Sequence, residues 1–146
     1  MSVVVEVARQ VTDELLRGIN SLLPQLSSSA PLLSTEVLER LIRSDASTLF
    51  VARNDGVIVG TLTLVVFPIP TGLRAWIEDV VVDQDARGLG AGEALTLAAI
   101  DEARRRDVRS IDLTSRPSRE AANALYQKLG FSPRSTNVYR FNLESH

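Results

Sequence analysis

The sequence predicts a mixed α+β domain: one sheet of about six to seven strands flanked by about four helices. Three observations carry that prediction. Apolar residues alternate in some stretches and recur at helical spacing in others, giving the order β-α-α-β-β-β-α-β-α-β. Asn54-Asp55-Gly56 is a hairpin turn between two stretches rich in β-branched residues. The Val80-Val81-Val82 run lacks alternation, as a strand covered on both faces does, and a helical stretch and then a further strand follow it. No internal repeat or linker interrupts residues 1–146, so the chain reads as one domain.

Each element has its own signal. Ser2 to Ala8 alternates valine with smaller or polar residues and reads as the first strand. Thr12 caps a helix to about Leu23, with Leu15, Leu16, Ile19, Leu22 and Leu23 on one face. The serine-rich stretch from Pro24 to Pro31 reads as a surface loop. Ser34 caps a second helix to about Arg43, turning Val37, Leu38, Leu41 and Ile42 inward. Thr48 to Ala52 and Val57 to Phe67 form the two strands around the Asp55-Gly56 turn, and Pro68 to Gly72 breaks the pattern. Ala75 to Val82 is the next strand, and Gly88 to about Arg106 a long helix. Ser110 to Thr114 is a strand parallel to the central one. A helix capped near Ser118 ends at Leu129-Gly130, and Val138 to Leu143 is expected as a final strand.

Composition removes several chemistries. The chain has no cysteine, and its single histidine is His146, the last residue. Thiol nucleophiles, Ser-His-Asp triads and His- or Cys-ligated metals are therefore not expected, and no metal is predicted. A formal net charge of -2 and a pI near 5.4 do not favour nucleic acid or an anionic membrane as partner. With no apolar stretch of spanning length and no signal peptide visible at Met1-Ser2-Val3, the expectation is a soluble cytoplasmic protein. The final strand, if exposed, makes a homodimer possible. Arg104-Arg105-Arg106 reads as a solvated helix end, where cations meet the negative pole of the dipole.

One junction is chemically informative. The valine strand ends in a polar turn, then Arg87-Gly88-Leu89-Gly90-Ala91-Gly92 opens an alanine-rich helix. The free N–H groups of a helix's first turn, at the positive end of its dipole, favour an anion, and glycines let it approach the backbone. The pattern is not the dinucleotide fingerprint, because Glu93 stands where the third glycine belongs. Nor is it a Walker loop, since no Gly-Lys-Ser/Thr occurs and Lys128 is the only lysine. Close helix packing through small residues is the other way to read it.

This strand, its Arg-x-x-Gly-x-Gly loop and the downstream Ala122-Asn123-Ala124-Leu125-Tyr126-Gln127-Lys128-Leu129-Gly130-Phe131 together resemble the GNAT superfamily of acyl-CoA-dependent N-acyltransferases. The resemblance is specific over Trp76 to Phe131. The Ile77-Glu78-Asp79-Val80-Val81-Val82 string also resembles the matching strand of glucosamine-6-phosphate N-acetyltransferases.

The resemblance implies a GNAT fold and acetyl-CoA as co-substrate, with a small primary amine as the other partner. The CoA diphosphate is then expected on the amides of Gly88, Leu89, Gly90, Ala91, Gly92 and Glu93. Arg87 either adds its charge or caps neighbouring carbonyls. The pantetheine arm pairs with backbone groups of Val80, Val81 and Val82. Tyr126 takes the place of the family's general acid, with a buried structural tyrosine as the alternative. Asn123, one turn earlier on that helix, is a further CoA contact. Arg119 stands where many members have asparagine; it and Arg116 are candidates for the CoA phosphates or for plain solvent exposure. Glu78 is the expected base. Strict alternation groups Glu78 with Val80 and Val82, and Asp79 with Val81, so only one carboxylate faces the acceptor unless a bulge re-aims the other. Trp76 either walls the acceptor pocket or belongs to the core.

Overall fold

The computed structural model describes residues 3–145; Ser2, expected to open the first strand, lies outside them with Met1 and His146. The chain divides into two compact units between Thr114 and Ser115.

The first unit is a five-stranded sheet in the order β1-β2-β3-β4-β5: Val3–Val7, Ser47–Asn54, Val57–Ile69, Gly72–Val82 and Ser110–Asp112. Neighbours run antiparallel except β4 and β5, which are parallel. Three helices join it: α1 (Asp13–Leu26), α2 (Thr35–Arg43) and α3 (Ala91–Arg105). Both expected caps form. The Thr12 hydroxyl accepts from the Leu15 amide at 3.1 Å, and the Ser34 hydroxyl from the Val37 amide at 3.2 Å. Asp55 and Gly56 both take positive φ, as the Asp-Gly turn requires.

Leu15, Ile19, Leu22 and Leu38 from α1 and α2 pack with Leu49, Val51, Ile58 and Val81 of the sheet. Each such side chain fully removed from water contributes roughly 1.5–3 kcal/mol. Leu62, Leu64, Leu95 and Ala99 are also fully buried. A Cβ on Gly60 would stand 3.1 Å from Leu95 Cδ1, so α3 crosses β3 closely at this glycine.

The structure corrects several boundaries. α1 does not stop at Leu23; it runs through Pro24 to Leu26, closed by the Ser27 amide on the Leu23 carbonyl at 2.9 Å. Proline so near the end forfeits a single hydrogen bond, which the packed helix tolerates. Pro68 and Ile69 do not break the pattern but extend β3, leaving a two-residue turn, Pro70-Thr71, before β4. α3 starts at Ala91 rather than Gly88.

The second unit holds α4 (Glu120–Lys128) and a short 3₁₀ turn, Leu143–Ser145. α4 is capped at Arg119, next to Ser118 as expected, but with no side-chain cap bond. The expected strand over Val138 to Leu143 is not formed, and residues 131–142 carry no regular structure. Alternating apolar residues become a strand only when a neighbouring strand completes the ladder. The homodimer expectation therefore loses the element it rested on. Among the described residues no helix is long and apolar enough to cross a membrane.

Candidate active site

β4 changes character at a bulge. Ile77 stands opposite Leu64 and Glu78 opposite Thr63, but the next pair is Val81 with Thr61. Asp79 and Val80 together face Leu62 alone, and Asp79 absorbs the extra residue with φ 51. Directly opposed residues share a face of an antiparallel pair. Glu78 therefore shares a face with Val81, the face covered by α1 and α2, while Val82, opposite Gly60, turns to the α3 side. This corrects the grouping of Glu78 with Val80 and Val82, because strict alternation fails across an inserted residue. Glu78 and Asp79 are both exposed. Trp76 is half-buried and lies two residues before Glu78 on the same face.

The bulge also marks where β5 leaves. β5 pairs with Arg74, Ala75 and Trp76 only. From Ile77 to Val82 that edge of β4 has no strand beside it among the described residues. Its backbone groups are available to an extended ligand.

The last sheet bond runs from the Asp83 amide to the Val59 carbonyl at 2.8 Å. A 3₁₀ turn follows over Gln84–Ala86, its entry fixed by Asp83 Oδ1 accepting from the Asp85 amide at 3.2 Å. Arg87 is exposed and makes no hydrogen bond or ion pair among the described residues, so the carbonyl-capping alternative is not realised. Gly88 and Gly90 then take φ of 85° and 82°, and a Cβ on either would meet nothing within 4 Å. Glycine is demanded here by the left-handed backbone and not by crowding. Gly90 caps α3 without a side-chain bond, and the first helical bond runs from the Ala94 amide to the Gly90 carbonyl at 3.0 Å. Among the described residues the amides of Gly88 to Gly92 find no acceptor, and they lie at the positive end of a 15-residue helix. That arrangement fits a diphosphate.

One further contact has no signal in the residue order. Gln25, in the last turn of α1, donates from Nε2 to Asp83 Oδ1 at 3.3 Å, and its Oε1 accepts from the Gln84 amide at 2.9 Å. Pro24 signals a helix end, which places Gln25 in a loop by sequence.

In the second unit, Arg119, Asn123 and Tyr126 lie on one face of α4 by their spacing. Asn123 Nδ2 donates to the carbonyls of Arg116 and Arg119, both at 2.9 Å, leaving Oδ1 as its outward group. The Tyr126 ring meets Phe131 edge-on at 5.8 Å, and the Phe131 amide closes onto the Tyr126 carbonyl at 2.9 Å. Burial pushes the Tyr126 phenol above its ordinary value near 10, and the Arg119 charge opposes that only in part.

The sequence profile of the Acetyltransferase (GNAT) family matches residues 16–131, and the chain belongs to that family. It is 35% identical over 94 residues to a mycothiol acetyltransferase of Thermomonospora curvata, a stretch covering 64% of this chain and 31% of that protein. It is 34% identical over 73 residues to N-alpha-acetyltransferase 30 of Schizosaccharomyces pombe, covering 50% of this chain and 48% of that one. The chain thus spans about a third to a half of the length of these relatives. A solved structure from Agrobacterium tumefaciens str. C58, assigned as an acetyltransferase, matches with a TM-score of 0.84 at 27% identity. It covers 95% of this chain and 99% of its own.

Proposed function

We propose that the chain transfers an acetyl group from acetyl-CoA to a primary amine of a small molecule. The observation that carries this reading is the left-handed glycine turn with unspent amides, which opens α3 next to the unpaired edge of β4. The amides of Gly88 to Glu93, with Arg87, hold the diphosphate. Backbone groups of Val80, Val81 and Val82 pair with the pantetheine amides, while the Val81 side chain stays in the core. Arg119 and Asn123, through its Oδ1, complete the CoA contacts.

The amine attacks the thioester carbonyl carbon directly. Glu78, itself or through a water, accepts the ammonium proton, because only the neutral amine has a lone pair to give. A backbone N–H near Val80 polarises the carbonyl oxygen. As the C–S bond breaks, Tyr126 gives its proton to the thiolate. Its raised pKa keeps the phenol protonated at neutral pH, which suits a donor. The mycothiol acetyltransferase relative favours a small acceptor. The second reading, a peptide or protein N-terminus, draws on the N-alpha-acetyltransferase relative.

Calorimetry with CoA and thiol release with a panel of small amines and short peptides test this. The expected result is CoA binding plus turnover on a small amine, lowered about 10²-fold or more in Tyr126→Phe. Binding with no turnover on any amine would mark a non-catalytic acyl-CoA sensor. No heat with CoA would remove the reading altogether.

A further inference from the structure

We infer that Gln25 is a positioning residue that sets the register of the CoA-binding turn from the end of α1. The inference rests on the proposed function for its ligand and on the hydrogen bonds for its geometry. Asp83 and Gln84 are the hinge between the last sheet bond and the glycine turn. The carboxamide of Gln25 engages both at once, donating to the Asp83 carboxylate and accepting from the Gln84 amide. A carboxamide is suited to this two-sided task, because it carries a donor and an acceptor side by side.

The post behind it is firm. Leu15, Ile19 and Leu22 bury α1 against the sheet, and the turn that carries Gln25 is closed past Pro24 by the bond from Ser27 to Leu23. Asn20 on the same helix holds Leu33 from both sides, its Nδ2 donating to the Leu33 carbonyl at 3.0 Å and its Oδ1 accepting from the Leu33 amide at 2.7 Å. One helix therefore fixes both the α1–α2 loop and the approach to the glycine turn. There is also an electrostatic consequence. Asp83 and Asp85 bring negative charge close to a site for an anion, and the Gln25 donor holds the Asp83 carboxylate to the α1 side. Without it the Asp83 carboxylate keeps only the Asp85 amide and is held less firmly away from the ligand's phosphates.

Four forms of the protein, titrated with CoA, test this: wild type, Gln25→Met, Gln25→Glu, and Gln25→Glu with Asp83→Asn. Met keeps the length and loses both bonds; Kd should rise about threefold to tenfold. KM for acetyl-CoA should rise in step while kcat at saturation holds. Glu keeps the acceptor but sets a second carboxylate against Asp83, so its loss should exceed that of Met. Asn at 83 restores a donor and should recover most of the affinity. A role confined to stability would lower the melting temperature of Gln25→Met and leave Kd where it was, and that result overturns the inference. If wild type itself binds no CoA, the proposed function has failed, a different outcome from equal binding by wild type and Gln25→Met.

Discussion

The two halves of β4 are one strand with two fates. From Gly72 to Ile77 it pairs with β3 throughout and also with β5 at Arg74 to Trp76, and Ala75 and Ile77 are 0% and 3% exposed. From Glu78 to Val82 it keeps β3 but loses β5, and it exposes two consecutive carboxylates. The bulge at Asp79 divides them. Upstream, β5 shares the ladder at Arg74 to Trp76; downstream, that edge is left over among the described residues. The same contrast separates the two glycine turns. Asp55-Gly56 closes a hairpin whose strands consume the neighbouring amides, whereas Gly88–Gly90 hands its amides to a helix N-terminus that cannot use them. Positive φ makes a turn; unspent donors make a site.

The sharpest way to break the comparison is Glu78→Gln. If the open half carries the chemistry, kcat should fall about 10²- to 10⁴-fold with melting unchanged, since the side chain is exposed. Thiol release at saturating acetyl-CoA reads it, and wild-type rates would remove Glu78 as base. The mirror experiment in the sealed half is Ile77→Ala. It should cost about 2–5 kcal/mol in denaturant unfolding while the folded fraction keeps its turnover. Smallest is the divider itself. Asp79→Val forces a β-branched residue to φ 51 and should cost about 1–3 kcal/mol, whereas Asp79→Gly should hold or gain stability. Equal melting of the two variants would show that the backbone at the bulge is not strained.

Much of this was legible in residue order. The Thr12 and Ser34 caps, the Asp55-Gly56 turn and the glycine junction follow from signals confined to a few neighbours. Each is a local competition between backbone and side chain, and the sequence carries local information directly. The misses share another cause. Pro24 signalled an end that packing of Leu15, Ile19 and Leu22 overrode. Val138 to Leu143 has the alternation of a strand but forms none among the described residues. Counting along the strand puts Glu78 with Val80 and Val82, and the bulge shifts that count by one.

The sequence by itself determined which residue types were present for chemistry and where the anion-binding turn falls, because helix capping and positive φ are decided within a few residues. Only the tertiary structure decided which face Glu78 takes, where β5 parts from β4, and that Gln25 meets the turn 58 residues further along the chain. Those outcomes depend on strand pairing and helix docking between segments far apart in the chain, and no local pattern encodes the register at which they meet.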